Sequence, residues 1–450
     1  MDIRMPENVK TVISTLENAG FETCAVGGCV RDALLGKAPN DWDITTAAKP
    51  DEMEEIFKAY HCIETGIAHG TLTVVIDSPL EITTFRLDGE YEDNRHPKSV
   101  DFTEDLSLDL ARRDFTVNAM AKKLSGEIID PYGGKEDIKE KIIRCVGDPD
   151  RRFNEDALRI LRGLRFASTL DFQIEEKTAE SIRRNKNLIK NISSERISKE
   201  LLKLICGKGA HRILSEFAEV LFVIIPEMEP MYKNPHDSKY HCYDIYEHSL
   251  YVMDNVNADP LMRFSALLHD CGKPEVKQYS DDGQAHFKGH QKISAQIAAQ
   301  VMERLKLPNK FRDEALFIIA NHDRWELFER ADKMKKYLSE FGEERVFELL
   351  EIMKADSLSQ SPKYFSRIDT IDEARKKAEE IMKTKPCLSR NLLAVNGKNL
   401  IDNGIPRGKA LGFVLSALLE EVIEGKIKNR SEDLIPRAKE IYEMRSGGCS

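Results

Sequence analysis

Apolar positions recur with two different periods along this chain. In 7–18 and 51–59 they return every three or four residues, which predicts amphipathic helices. Short apolar runs at 23–26, 42–46, 71–77 and 81–86 predict strands. Pro131-Tyr132-Gly133-Gly134 predicts a turn late in this mixed section, which spans 7–145. From about 150 the pattern becomes helical and stays so, as at Leu158, Leu161 and Leu164. Pro226, Pro230 and Pro235 suggest a boundary, and a last helical section begins after Pro386. There is no internal repeat and no low-complexity segment. The expected class is α+β, with a mixed α/β head ahead of a helical remainder.

Composition narrows the picture. A chain of 450 residues has room for two to four domains with sizeable cores. Met1-Asp2-Ile3-Arg4-Met5-Pro6 opens no apolar leader, and no run approaches the ~20 apolar residues of a membrane span. The nine cysteines are odd in number, scattered and without a Cys-x-x-Cys pair. That usage fits a reducing cytoplasm and argues against a disulfide framework or a thiolate zinc site. The net charge of −10 does not advertise a nucleic-acid binder, so local charge matters more. Arg183–Lys190 and Gly425–Arg430 are basic, and each reads either as a phosphate-facing patch or as a solvated helix face.

The most informative stretch is Val26-Gly27-Gly28-Cys29-Val30-Arg31-Asp32, followed by Asn40-Asp41-Trp42-Asp43-Ile44. In a strand, alternate residues point the same way, so Asp41 and Asp43 are placed to share a divalent ion. Gly27 and Gly28 let backbone approach a phosphate, whose oxygens their N–H groups can bind. Metal-held carboxylates beside such a cradle are parts for nucleotidyl transfer. A lone Asp-x-Asp after a glycine turn would otherwise read as solvated. Glu81, on the alternating run Leu80–Arg86, reads either as a third acid or as the partner of an arginine. Arg112-Arg113-Asp114 precedes Asn118, which is four residues after Asp114 and thus on the same helical face. Alone, this is also an ordinary helix start with an acid near its N-terminus. Asp156 and Arg159 lie at i and i+3 in Glu155–Arg162, read as one helix. A carboxylate accepts and a guanidinium donates, which matches the amino group and adjacent ring nitrogen of cytosine and adenine but not guanine or uracil. The plainer alternative is a surface salt bridge. Leu87–Pro97 is polar and reads as a loop.

Together these motifs resemble those of the class II nucleotidyltransferases, the family of tRNA CCA-adding enzymes and bacterial poly(A) polymerases. The resemblance implies a polymerase-β-like head whose Asp41 and Asp43 are catalytic on Mg²⁺, with Glu81 as the candidate third acid. It implies nucleotide binding by Gly27, Gly28, Arg31, Arg113, Asp114, Asn118, Asp156, Arg159 and Arg162. Within the family, the place of 87–97 is a loop associated with the change from C to A addition. Ser193–Ile197 matches a helix start that braces the active-site wall, with Ser194 as its cap.

A second constellation follows: His248, His269-Asp270, His286, His290, His322-Asp323 and Asp356. Its order resembles the HD metal-dependent phosphohydrolases. That implies His248, His269, Asp270 and Asp356 as ligands, with His290 and His322 completing a second position or binding phosphate. Imidazole with carboxylate suits Mn, Fe, Co, Ni or Zn. Leu393–Ile401, Gly412-Phe413 and Asn429-Arg430 resemble the tail of bacterial CCA-adding enzymes. The resulting expectation is a head over 1–147, a helical neck over 148–235, an HD domain over 236–360 and a tRNA-gripping tail over 361–450. The implied partners are tRNA, CTP and ATP, in the cytoplasm. A CC-adding, A-adding or poly(A) polymerase, or an HD phosphohydrolase with a nucleotide-sensing head, uses the same parts.

Overall fold

The computed structural model describes residues 5–67, 70–89, 100–329 and 333–446. The chain divides into two compact units, Met1–Glu229 with Val301–Leu307, and Pro230–Gln300 with Pro308–Ser450. The first unit ends inside the proline cluster.

The first unit opens with α1 (Glu7–Asn18), which buries Val9, Val12, Ile13 and Leu16 on one stripe. Then come β1 (Thr23–Val26), α2 (Gly28–Leu34), β2 (Asp43–Thr46) and α3 (Pro50–Ile56). Strands β3 (His61–Gly66), β4 (Thr71–Val75) and β5 (Pro79–Thr84) follow, then β6 (Arg86–Asp88) paired with β7 (Val100–Phe102). Helix α4 (Leu106–Ala111) leads to a 3₁₀ turn at Thr116–Asn118, β8 (Ala121–Lys122), β9 (Ile128–Ile129) and α5 (Gly134–Glu140). Seven strands form one sheet in the order β3-β4-β5-β2-β1-β8-β9. It is mixed: β2 and β5 run parallel while β1 pairs antiparallel with β2 and β8. All four residues of β1 are buried because both faces are covered. Ala25 joins the main core with Ile13, Ile44, Leu72 and Ile82, whereas Cys24 and Val26 join Phe85, Leu106 and Leu110.

The rest of the first unit is helical, with α6 (Pro149–Glu155), α7 (Leu158–Leu170), α8 (Glu176–Asn185) and α9 (Ser194–Ile205) as its main elements. The second unit is helical as well, and its C-terminal part has its own core of Leu393, Leu400, Val414, Leu418, Leu434 and Ala438. The α+β class with a mixed-sheet head and helical remainder is therefore as expected. No helix among the described residues is long and apolar enough to cross a membrane.

Several local expectations need correction. Strand β2 begins at Asp43, so Asp41 lies before it rather than two residues along it. Strand β3 had no clear sequence signal, because His61, Ile63 and Glu64 stay exposed at the sheet edge and the apolar alternation is missing. Within the polar stretch 87–97, residues 90–97 lie outside the described residues. The cap of α9 is Ser193, not Ser194, and its side chain makes no capping hydrogen bond.

Gly134 shows how tightly the head is closed. A Cβ there would stand 2.3 Å from the Thr116 carbonyl oxygen, against the turn that carries Asn118. Gly134→Ala should therefore destabilise the protein by about 1–3 kcal/mol, the usual cost of overpacking. Urea unfolding checks this, and an unchanged midpoint would show that the turn yields freely.

Candidate active site and histidine centre

The head presents its acids around a cavity of about 650 Å³, lined by Asp41, Asp43, Thr73, Leu80 and Glu81 among others. Ile44 and Ile82 are in register on parallel strands and point into the core. Asp43 and Glu81 precede them, so both take the opposite, outward face. Strand pairing thus brings Glu81 to the two aspartates from 38 positions away. Asp43 still reaches solvent, yet its carboxyl lies above its ordinary value. Burial by surrounding protein is the main cause; the Arg113 guanidinium opposes it and the Asp41 charge adds to it. Two neighbouring carboxylates at an open cavity suit a hard divalent cation.

Arg113 reaches this region over glycine. Gly27 has φ +81°, and a Cβ on it would lie 2.9 Å from Arg113 Nη1. The Gly27 N–H donates to the Met120 carbonyl at 3.1 Å, so it is not free for phosphate as the sequence suggested. The backbone donors left for an anion are therefore those of the first turn of α2, which starts at Gly28 and whose leading N–H groups lack intrahelical acceptors. Arg31, on that helix and 8% exposed, donates to Asn118 Oδ1 at 2.6 Å and to Asp32 at 2.9 Å.

Asp114 is buried. Its Oδ2 accepts from Arg162 Nε at 2.7 Å, and its Oδ1 accepts from the Phe115 N–H at 2.9 Å and Asn118 Nδ2 at 3.3 Å. Asn118 and Asp114 do meet, through a 3₁₀ turn rather than an α-helical face. Burial works against the Asp114 carboxylate, but Arg162 outweighs it and holds the carboxyl below its ordinary value.

Asp156 and Arg159 are not on one helix, and each has its own partner. Asp156 sits in extended backbone between α6 and α7, and its Oδ1 accepts the Leu158 N–H at 3.0 Å. The short side chain competes for a backbone donor and breaks the helix there. Its Oδ2 takes Arg196 Nη2 at 3.2 Å. Arg159 instead donates to Glu155 at 2.8 Å and to the Arg112 carbonyl at 3.0 Å. Each side chain is thus held by a separate partner. Arg196 and Glu155 were missed as supports, although both lie in the motifs that drew attention.

In the second unit, Asp270 is the hub of the histidines. Its Oδ2 lies 3.1 Å from His269 Nε2 and 3.6 Å from His248 Nε2, and its Oδ1 lies 3.3 Å from His290 Nε2 and 3.8 Å from His322 Nε2. Asp356 Oδ1 is 3.0 Å from His248 Nε2. All six expected residues therefore converge; His286 does not, and contacts Ser280 Oγ at 3.0 Å. The Nδ1 atoms of His269, His290 and His322 are tied to the carbonyls of Ala266, Phe287 and Ile319 at 2.7–2.8 Å, which leaves Nε2 facing Asp270. Ligands of an ion with bonds of about 2.1 Å stand roughly 3.0–3.5 Å apart, close to this spacing. Nε2 of His248 and His269 and both Asp270 oxygens are buried without a hydrogen bond of good geometry. The residues present thus fit one or two divalent ions. Burial, then His269 and His290, pushes His322 down to about 3, the neutral state a ligand needs.

The sequence reading missed His236, His241 and Lys273. His236 stacks on His241 at 3.8 Å and meets Lys273 Nζ at 3.2 Å, while Lys273 Nζ lies 2.6 Å from Asp270 Oδ2. A cavity of about 540 Å³ opens over this centre, lined by His241, Asp270, Lys273, His290, His322 and Asp356 among others.

The Asp114–Arg162 pair generates a pH test. The folded carboxyl lies below its ordinary value, so its stabilisation is present above the ordinary range near ~3.9 and is lost as pH falls through the folded value. Asp114→Asn should cost about 1–3 kcal/mol at neutral pH, the scale of hydrogen bonds to a charged group whose partner water can still reach. The difference from wild type should shrink below about pH 4. Urea titrations across pH measure it, and a difference constant with pH would show the carboxylate is not what Arg162 holds.

Comparison with known proteins bears on these sites. Residues 23–144 match the poly A polymerase head domain, 171–231 the probable RNA- and SrmB-binding site of polymerase A, and 284–438 the putative tRNA nucleotidyltransferase domain 2. A CCA-adding enzyme of Enterococcus faecalis is 34% identical over 449 residues, covering 97% of this chain and 96% of that protein. One from a Geobacillus strain is 33% identical over 94% of this chain and 93% of its own length. Among solved structures, the Bacillus stearothermophilus CCA-adding enzyme in complex with CTP superposes with a TM-score of 0.74 at 30% identity, covering 99% of this chain and 100% of that one. Kinship of this extent over both units, with the head acids gathered at one cavity, places the chain in the CCA-adding enzyme family of tRNA nucleotidyltransferases.

Proposed function

We propose that this protein builds or repairs the 3′-terminal CCA of tRNA from CTP and ATP, without a nucleic-acid template. The observation that carries the reading is the gathering of Asp41, Asp43 and Glu81 around one cavity with Arg113 beside them, in a chain akin to CCA-adding enzymes along its length. Asp41 and Asp43 would hold Mg²⁺, with Glu81 as the third acid. Held by these acids, Mg²⁺ would supply activation of an RNA 3′-hydroxyl and charge neutralisation at the pyrophosphate leaving group. Arg113 and the first turn of α2 receive the triphosphate, with Gly27 giving Arg113 its room. Asp114, Asn118 and Arg162 form the ribose wall, which Arg31 reinforces through Asn118.

Base selection falls to Asp156 and Arg159. Asp156 accepts from the amino group of C or A, and Arg159 donates to the neighbouring ring nitrogen. Guanine and uracil offer the reverse order and are rejected. The side chains read the base from two separately braced positions, Asp156 on Arg196 and Arg159 on Glu155. The same reading divides the chain into a head (1–147), neck (148–235), HD domain (236–360) and tRNA-binding tail (361–450). The separate core at 393–441 supports the tail.

The test is to sequence the product made on tRNA lacking CCA with all four nucleotides supplied. CCA ends are expected; CC, single A or an A tract would move the protein to a narrower or poly(A) polymerase. Asp43→Asn should lower addition at least 10³-fold (~4 kcal/mol in the barrier) while tRNA binding persists, because a metal ligand is lost. Addition near the wild-type rate would remove Asp43 from the metal.

A second activity is favoured by the converging histidines. We infer an HD-type phosphohydrolase centre with His248, His269, Asp270 and Asp356 as one ligand set, and His290 and His322 with Asp270 as a second. Mn, Fe, Co, Ni or Zn held there would polarise a phosphoester and supply a nucleophilic water. His269→Ala with Asp270→Ala should abolish hydrolysis of a model phosphodiester and the retained transition metal measured by elemental analysis. CCA addition should stay within about twofold, because the centre lies in the other compact unit. Equal loss of both activities in a folded variant would refute two independent sites.

A further inference from the structure

We propose that Asp109 is a positioning residue for nucleotide binding, holding Arg113 in place and tying it to the strand that carries Asp43. The assignment rests on the nucleotidyl-transfer reading of the head. Asp109 is 0% exposed on α4, a place where an isolated carboxylate would be costly. Its Oδ1 accepts from Arg112 Nε at 2.9 Å and Nη2 at 2.7 Å. Its Oδ2 accepts from Arg113 Nη2 at 3.5 Å and lies 3.4 Å from Thr45 Oγ1, a hydroxyl shared with the Thr83 carbonyl at 3.1 Å.

Those contacts make two routes from one carboxylate to the catalytic acid. One runs through Arg113, whose Nη1 packs over Gly27 and whose charge acts on Asp43. The other runs through Thr45, two residues after Asp43 on β2. A free arginine has many rotamers, and a triphosphate that must order it binds more weakly. Arg113, fixed beforehand by a buried acceptor, meets the triphosphate without that loss. Arg112 takes the second oxygen with two donors, so the carboxylate cannot swing away to follow Arg113. Nothing in this arrangement reaches the reacting atoms, so Asp109 acts on binding.

The experiment is steady-state incorporation of CTP by full-length Asp109→Asn on tRNA lacking CCA, with KM and kcat separated. KM for CTP should rise about tenfold or more and kcat should stay within threefold. The Mg²⁺ concentration for half-maximal rate should shift as well. A lower kcat at unchanged KM would mean only that fewer molecules fold, and it would overturn the assignment, as would unchanged kinetics. Should Asp109→Asn fail to fold, Thr45→Val keeps both ion pairs and removes the hydroxyl's contacts to Asp109 and to the Thr83 carbonyl. A KM shift of about threefold is then expected, and no shift overturns the proposal. Wild-type protein unable to add C would instead refute the nucleotidyl-transfer reading itself.

Discussion

The head is organised by the need to keep buried carboxylates charged. Asp114 and Asp109 lie five residues apart on either side of Arg112 and Arg113, and both are out of water. Each is tolerable only because guanidinium and amide donors surround it. Two of those donors come from distant parts of the chain, Arg162 from α7 and Thr45 from β2, and Asn118 comes from the adjoining 3₁₀ turn. Satisfying the two carboxylates therefore forces the sheet, the turn and α7 into one arrangement. Arg31, Arg113 and Arg162 are aimed by the same network.

Much of this was readable from residue order. The glycine pair, the aspartates and the Arg-Arg-Asp run are local signals, and their elements formed close to where the periodicity put them. The histidine set was readable for a different reason. His and Asp can ligate a metal by residue type alone, whatever elements bring them together. Glu81 was visible on its strand, but its meeting with Asp43 depends on the parallel pairing of β2 and β5, which no local pattern encodes.

What was missed depends on burial or on competition. Asp109 before Arg112 and Arg113 reads as a surface helix pair, and only its exclusion from solvent shows otherwise. Asp156 was drawn onto a helix by its spacing from Arg159. The backbone N–H of Leu158 offered its carboxylate a nearer partner, and the helix broke. His236 and His241 have no spacing that ties them to His248. Their stacking appears only when the chain between Asn234 and Ile245 closes on itself.

The anchoring of the histidine rings has an evolutionary consequence. His269, His290 and His322 each bind the carbonyl of the residue three positions earlier, at Ala266, Phe287 and Ile319. A main-chain acceptor is supplied by every amino acid alike. The ring orientation is thus insulated from drift at those three positions, provided the local turn survives. Sequences around such a centre can diverge widely while its ligand geometry is inherited intact.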